Sequence, residues 1–322
     1  MIFQFLFFHN AALRIAAKSN NLELMYYLLM NEKAKKLIQL SIPLNFTAIK
    51  ANFCKNCLSL TEISIPPTVT RIGNKAFAIC KALKKIKLPS SLEAIEDQAF
   101  NECTSLTEIT IPPSVTAIGE GAFDGCTSLY YVEIPMGITD IKPNTFRQCK
   151  SLFEIIIPSS VSVICVSAFS LCSNLKKVTF PLSSKLDLIG NRAFHNCISL
   201  EKVVLPSSVT FIERESFLNC QKLNEVSIPP SVAFIGDNAF SFCDALNKVT
   251  FEEPSKLSDI PKYTFSRCTS LTQISLPDSV KSVDPNAFYG CVSLTQISVP
   301  FKLKKNFLHG TGNLNIVKRN ID

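Results

Sequence analysis

Hydrophobic and polar residues recur along the chain with a nearly constant period of 23 residues. Eleven cysteines show the period most simply, because their spacing is 23 residues except for two gaps of 25. They are Cys57, Cys80, Cys103, Cys126, Cys149, Cys172, Cys197, Cys220, Cys243, Cys268 and Cys291. From Phe77 to Phe288, a phenylalanine stands three residues before each cysteine. A period of this size predicts a repeat architecture in which equivalent side chains stack coil upon coil.

The pattern within one unit predicts its local structure. The unit reads L-x-x-I-x-I-P-x-S-V-x-x-I-G-x-x-A-F-x-x-C-x-S, for example from Leu106 to Ser128. Alternating apolar and polar residues predict a short strand, and the proline ends it because it lacks an amide donor. A second extended stretch follows at V-x-x-I, and the A-F-x-x-C segment predicts a single helical turn. The two longer units carry their extra residues at one point, around Pro181–Lys185 and Glu252–Lys256, which indicates a surface loop.

These units divide the chain into two parts. Residues 37–322 are predicted to form a repeat domain of about eleven 23–25-residue repeats plus a C-terminal cap. Residues 1–36 do not follow the repeat and are predicted to form a helical cap. The expected fold is a solenoid that is mainly β, with short helical turns and this small cap.

The repeat resembles the leucine-rich repeats of the BspA-like type. The segment LTEITIPPSVTAIGEGAFDGCTSL, from Leu106 to Leu129, carries the resemblance most fully, and it extends over nearly all of residues 37–322. The resemblance implies a leucine-rich-repeat solenoid, horseshoe-like and of the α/β type. It also implies a protein often displayed on the surfaces of bacteria and protists, where it binds host or partner proteins. The implied function is non-catalytic protein binding of the adhesion or surface-antigen type.

The N-terminal segment has a different pattern. NAALRIAAKSN and NLELMYYLLMN predict two short helices, and the segment resembles one ankyrin unit through Leu13, Leu24 and Leu28, with a turn at Asn20–Asn21. A single ankyrin unit has no neighbours against which to bury its apolar face. Two interpretations stay open: a helical cap over the first coil, or the remnant of a longer ankyrin array.

Composition and charge exclude several classes of function. The formal net charge is +7, but the basic clusters do not alternate with aromatic residues, so we expect no nucleic-acid partner. No run approaches the roughly 18 apolar residues of a membrane-spanning helix. The apolar start, Met1 to Phe8, lacks the basic residues and cleavage site of a signal peptide.

The polar residues do not form a catalytic, cofactor or metal site. The three histidines, His9, His195 and His309, are scattered, and no phosphate-binding glycine loop is present. The protein is therefore predicted not to be an enzyme and to need no cofactor.

The cysteines indicate packing rather than chemistry. Eleven occupy one equivalent position, so we expect a reduced, buried row of thiols, which weakly favours a reducing compartment. Cys54 and Cys57 form a C-x-x-C without a second ligand pair, and Cys165 is expected to be the most exposed thiol. Asn45–Thr47 is a glycosylation sequon that matters only if the chain is secreted. Localisation stays open between the cell surface, which the resemblance implies, and the cytoplasm.

Two groups of apolar residues interrupt the otherwise polar outer positions of the repeat. The first patch consists of Tyr130, Tyr131, Phe153 and Ile156, on the outer face of the first strand. The apolar row consists of Val163, Leu188, Phe211 and Phe234, at one position of four consecutive units. Exposed apolar groups of this kind indicate protein contacts, although shielding of strand ends would also explain them.

The remaining outer positions mostly alternate in charge between adjacent units, as in Glu62, Lys85 and Glu108, which predicts neutralisation between coils. The leading prediction is a protein-binding surface protein that captures a protein partner. An intracellular protein–protein interaction scaffold and a structural rod that self-associates through Phe211 and Phe234 are the alternatives.

Overall fold

The computed structural model describes residues 15–16, 19, 21–29, 37–303 and 315–319. The chain is a mainly-β parallel solenoid of about 12 turns, which confirms the fold expected from the repeat. It divides into two compact units. The first comprises Met1–Ile138 and Asn144–Leu152, and the second comprises Thr139–Pro143 and Phe153–Asp322. The predicted boundary between residues 36 and 37 borders a stretch that lies outside the described residues.

In the first unit, each coil contributes two short strands to two parallel sheets. The first sheet contains β1 (Gln39–Ser41), β3 (Glu62–Ser64), β5 (Lys85–Lys87), β7 (Glu108–Thr110) and β9 (Tyr131–Glu133). The second sheet contains β2 (Ala48–Ile49), β4 (Arg71–Ile72), β6 (Ala94–Ile95) and β8 (Ala117–Ile118).

The second unit repeats this arrangement with more coils. The first strands of its repeats form two sheets. One contains β11 (Glu154–Ile156), β13 (Lys177–Thr179), β15 (Lys202–Val204), β17 (Glu225–Ile228) and β19 (Lys248–Phe251), and the other contains β21 (Gln273–Ser275), β23 (Gln296–Pro300) and β24 (Asn315–Arg319). Its second-strand sheets contain β10 (Asp140–Ile141), β12 (Val163–Ile164), β14 (Leu188–Ile189), β16 (Phe211–Ile212) and β18 (Phe234–Ile235), then β20 (Asp259–Ile260) and β22 (Ser282–Val283).

Parallel pairing keeps equivalent residues beside each other from coil to coil. In β7, Ile109 points inward while Glu108 and Thr110 are exposed, which is the predicted alternation. The extra residues of the two longer repeats do not disturb the register of the strand pairing, because Val163 still pairs with Leu188 across a 25-residue step. Leu182, within that insertion, is fully exposed, as expected for a surface loop.

Hydrogen bonds at the proline turn explain the P-x-S-V segment. The amide of Val115 donates to the Pro112 carbonyl at 3.0 Å, which closes the turn after the strand. The hydroxyl of Ser114 donates to the Leu92 carbonyl of the preceding coil at 2.6 Å. The serine therefore joins two coils at a point where the proline cannot donate.

Phenylalanine rings fill the interior as a stack within each unit. Rings of adjacent coils lie nearly parallel, with centroids 5.2–5.7 Å apart. Each of these rings is fully buried. Because each ring contacts the equivalent ring of the next coil, a single repeat cannot complete its hydrophobic core alone.

The segment around each phenylalanine takes the form of consecutive turns. Lys75 and Ile79, two residues on either side of Phe77, have φ values of 56° and 64°. The amide of Phe77 donates to the Ala99 carbonyl of the following coil at 2.8 Å. Left-handed residues interrupt a helical turn, so hydrogen bonds within the coil, such as that from the Ala78 amide to the Lys75 carbonyl at 3.1 Å, alternate with bonds to the next coil.

The N-terminal segment includes one described helix, Leu22–Leu29. Asn21 begins it, because its side-chain oxygen accepts the Leu24 amide at 3.0 Å. Met25 is fully buried, whereas Tyr27 is exposed, so the helix is amphipathic. Most of the first predicted helix lies outside the described residues.

Candidate partner-binding surfaces

The cysteines are interior residues with a specific hydrogen bond. All thirteen are free thiols, and twelve are buried. The Cys126 thiol donates to the Phe100 carbonyl of the preceding coil at 3.2 Å. Equivalent contacts to the carbonyl of the preceding coil recur along the described repeats, at sulfur–oxygen distances of 2.9–3.4 Å. Burial raises the pKa of Cys126 well above its usual range, so the thiol stays protonated and remains a donor.

The C-x-x-C of the first coil is part of the same repeat. Cys54 occupies the position of the interior phenylalanine, since its amide donates to the Ala76 carbonyl as that of Phe77 does to Ala99. Cys54 also provides the carbonyl that accepts the Cys80 thiol at 3.1 Å. Burial and the hydrogen bond to Cys57 raise the pKa of Cys54. The pair is explained by packing.

His195 makes a polar contact that does not form a catalytic arrangement. Its Nδ1 lies 3.3 Å from the hydroxyl of Ser170, which is buried. Burial and the nearby Arg192 charge lower the pKa of His195, against a smaller opposing effect of Glu215. Among the described residues, no carboxylate accepts a hydrogen bond from this ring, and no group of three or more potential metal ligands is found.

The outer positions of the first strands carry the predicted charge pairs in part. Lys85 Nζ lies 2.6 Å from Glu108 Oε1, and Lys202 pairs with Glu225. The hydrogen bond from Lys202 lowers the pKa of Glu225. Exposed pairs of this kind contribute little to stability, so their main effect is to cancel charge on this face.

The first patch is divided between the two units. In the first unit, Tyr130 and Tyr131 are 57% and 46% exposed. In the second unit, Ile156 ends β11 and is 59% exposed, while Phe153 has the Lys176 ammonium 5.2 Å from its ring centroid. All four side chains therefore reach solvent, and their combination into one binding centre stays a prediction.

The apolar row lies within the second unit as one continuous line of side chains. Val163 pairs with Leu188, Leu188 with Phe211, and Phe211 with Phe234 in consecutive parallel strands. The rings of Phe211 and Phe234 are 43% and 47% exposed, with centroids 6.3 Å apart. Asp140, which pairs with Val163, adjoins the row at its first end.

Charged groups surround a shallow pocket of about 370 Å³ at the Phe234 end of the row. Glu213, Arg214 and Asp237 line it, and Gly236 lies within it. A Cβ at Gly236 would lie only 2.3 Å from the Arg214 amide nitrogen, so only glycine fits there. The pocket gives the apolar row a charged border at this end.

Arg214 is held in place by an ion-pair cluster. Glu215 is buried and pairs with both Arg192 and Arg214, at 2.5 and 2.7 Å. Burial alone would raise the pKa of Glu215, but the two guanidinium groups reverse this and lower it. The carboxylate therefore stays charged and fixes both arginines beside the row.

A second groove lies on the outer face of the first strands near the C-terminal coils. It has a volume of about 460 Å³ and is lined in part by Thr250, Gln273, Ser275, Gln296 and Ser298. This groove was not predicted from the sequence. The available signal was the loss of charge at the first outer position of β21 and β23, where most earlier strands carry Lys or Glu.

These features define a repeat solenoid in which the described hydrogen bonds and ion pairs mostly link neighbouring coils. The apolar row and the polar groove lie on its outer surface. Within the described residues, no helix has the length and apolar character needed to cross a membrane.

Comparison with known protein families assigns this solenoid to one of them. A family model described as BspA type Leucine rich repeat region (6 copies) matches residues 4–84, 71–187 and 187–308. The chain therefore belongs to the BspA type leucine-rich-repeat family. The first match includes the N-terminal segment, and the comparisons do not support the ankyrin resemblance. No match was found among curated proteins.

Solved structures share the fold. A leucine-rich repeat protein from Bacteroides ovatus ATCC 8483 is 29% identical, with a TM-score of 0.54, over 89% of this chain and 85% of that one. A leucine rich cell surface protein from Faecalibacterium prausnitzii A2-165 is 28% identical, with a TM-score of 0.52, over 87% of both chains. The pneumococcal vaccine antigen PcpA is 22% identical, with a TM-score of 0.58, over 88% of this chain and 79% of that one, and shows the fold alone.

Proposed function

We propose that this chain is a non-catalytic protein-binding module that captures its partner on the apolar row. The observation that carries the proposal is the in-register placement of Val163, Leu188, Phe211 and Phe234, of which the two phenylalanines are exposed and the other two half-buried. Apolar and aromatic anchors surrounded by polar groups are typical of binding hot spots. The charged pocket beside Phe234 provides the polar border.

The proposed partner is a protein, and the exposed residues of the first patch in each unit are proposed as further contacts. Tyr130 and Tyr131 are residues of the type that dominates interface energies, with an apolar ring and a polar end. Adhesion is the favoured biological setting, because the similar Faecalibacterium protein is a cell surface protein. The specific alternative is an intracellular scaffold, which the thirteen free thiols favour.

The test compares matched substitutions of exposed apolar residues. The double variant Phe211→Ser/Phe234→Ser removes the aromatic part of the row, and Val204→Ser changes an exposed valine on β15 of the same unit. Captured proteins are identified with the wild-type chain, and the main partner is purified and titrated against each variant. We expect the double variant to weaken binding at least about tenfold, equivalent to roughly 1.4 kcal/mol, and Val204→Ser to bind normally.

Equal affinity of a folded double variant and the wild type would remove the apolar row as the binding surface. The same titration with Tyr131→Ser/Phe153→Ser/Ile156→Ser tests the first patch. A membrane-impermeant amine label on intact cells separates the two settings, since labelling before lysis supports surface display and labelling only after lysis supports the scaffold. Sedimentation at increasing concentration tests self-association through Phe211 and Phe234.

A further inference from the structure

The groove on β19, β21 and β23 has an unusual set of outward side chains. In-register pairing aligns Gln273 with Gln296 and Ser275 with Ser298, and Thr250 lies beside them on β19. The first outward position of β5, β7, β15 and β17, equivalent to that of Gln273 and Gln296, carries lysine or glutamate, whereas the second outward position is also uncharged in β7, β15 and β17. Lys248, at one edge, has the only charged side chain among the residues that line the described groove.

The hydrogen-bonding groups of this groove are not used within the fold. Within the part of the chain that the structure describes, no hydrogen bond is found for the side chains of Thr250, Gln273, Ser275, Gln296 or Ser298. By contrast, Gln39, the carboxamide at the same position of β1, donates to Glu62 at 3.2 Å. Two carboxamides and three hydroxyls therefore present donors and acceptors together over a concave volume of about 460 Å³.

We propose that this groove binds a neutral carbohydrate chain through its hydroxyl groups. A carboxamide offers two donors and an acceptor, and each hydroxyl offers both, which matches the mixed donors and acceptors of a sugar ring. The near absence of charge matches a ligand without charge. The coil spacing of about 4.8 Å places such groups repeatedly along the groove, so several sugar units are contacted in succession.

A protein partner fits this groove less well. Protein interfaces depend on buried aromatic or aliphatic anchors, and the outward side chains of β19, β21 and β23 that line the groove are polar. An extended peptide along the groove would also lose register, because its same-side groups repeat every ~6.8 Å against ~4.8 Å for the coils. This site is separate from the apolar row, which lies on the second-strand sheet of the same unit.

The experiment titrates the full chain with maltohexaose, cellohexaose, mannohexaose and chitohexaose by calorimetry and by saturation-transfer NMR. We expect at least one of them to bind with a Kd on the order of 1 mM, as for a site built from exposed hydrogen bonds without a stacking surface. The double variant Gln273→Ala/Gln296→Ala should weaken that binding about tenfold. The matched control, Gln39→Ala, changes a carboxamide at the same repeat position and should bind as the wild type does.

All three glutamines are exposed, so the variants are expected to fold, and thermal unfolding checks this. Ser275→Ala/Ser298→Ala provides a second perturbation with smaller loss of side chain. If none of the four oligosaccharides binds, the proposal is wrong. Binding that is equally strong in the Gln273→Ala/Gln296→Ala and Gln39→Ala variants would also overturn it, because the sugar site would then lie elsewhere.

Discussion

Substitution of Cys126 distinguishes a hydrogen-bonding thiol from a small apolar filler. The Cys126 side chain is fully buried, and its sulfur lies 3.2 Å from the Phe100 carbonyl oxygen. The same carbonyl accepts the Cys103 amide at 3.1 Å, so it keeps one partner when the thiol is removed. The cost of losing the S–H donor is therefore that of one neutral hydrogen bond, without a fully orphaned carbonyl.

The stabilities of the Cys126→Ala and Cys126→Ser variants are expected in opposite orders, depending on whether the thiol is a hydrogen-bond donor or only an apolar filler. Alanine loses a hydrogen bond worth about 1 kcal/mol and sulfur packing of similar size, for a total of roughly 2 kcal/mol. Serine loses the packing but keeps a donor, for a total of roughly 1 kcal/mol. If the Phe100 carbonyl were not within hydrogen-bonding reach of this position, the thiol would be only an apolar filler, and serine would bury an unsatisfied hydroxyl and destabilise by ~1–3 kcal/mol more than alanine.

Urea unfolding followed by circular dichroism measures both free energies at constant m-value. Cys165 provides the control, because it is half-buried and its substitution by either residue should change stability by less than about 0.5 kcal/mol. The expected order is wild type, Cys126→Ser, then Cys126→Ala. A serine variant less stable than the alanine variant would refute the hydrogen-bonding role of the row of thiols.

Three further outcomes follow from the same interior. Phe217→Ala removes a fully buried ring stacked on both sides and should cost about 3–5 kcal/mol, whereas exposed Phe211→Ala should cost less than about 1 kcal/mol, both by urea unfolding. A thiol reagent should modify one cysteine, Cys165, in the native chain and all thirteen in denaturant. Since burial lowers the pKa of His195 in the folded state, stability should fall as the pH drops from about 6.5 towards that lowered pKa, and His195→Gln should remove this dependence in pH-resolved unfolding.

The sequence predicted the interior well because each interior position repeats. Periodicity places Phe100 and Phe123 at equivalent points, so their stacking at 5.5 Å follows directly from a repeat of constant length. For the segment around them it predicted a single helical turn, whereas the structure has consecutive turns that contain left-handed residues. The left-handed φ values at Gln98 and Glu102 arise because the amides there must reach carbonyls of the next coil, a requirement that local preferences do not contain.

The hydrogen bond from the Cys126 thiol also could not be predicted from the sequence. Burial of Cys126 follows from its repeat position, but the carbonyl it contacts belongs to another coil and is fixed only by the stacking geometry. Likewise, the sequence period includes Cys57 but not Cys54, although Cys54 takes the position that phenylalanine has in later coils. Alignment of Asn52 and Asn56 with the left-handed positions of later coils reveals this once the backbone is known.

The sequence indicated the outer positions at which apolar residues replace polar ones. It did not indicate the outer positions at which uncharged polar residues replace charged ones. Phe211 and Phe234 stand out against polar residues, and the structure places them on one exposed line. Gln273 and Gln296 look unremarkable in sequence, because polar residues are expected outside. Gln273 and Gln296 pair with each other, so no ion pair links their two coils at this position, whereas Lys202 pairs with Glu225.

This contrast follows from how a stacked repeat is built. Interior positions are fixed by contact with the coils above and below, so every unit keeps nearly the same residues there. Outer positions are not fixed in this way, and a run of three or four coils can take on one chemical character without affecting the core. On the two proposals above, an apolar run and a neutral hydrogen-bonding run on different sheets of one unit would bind two ligands of different chemistry.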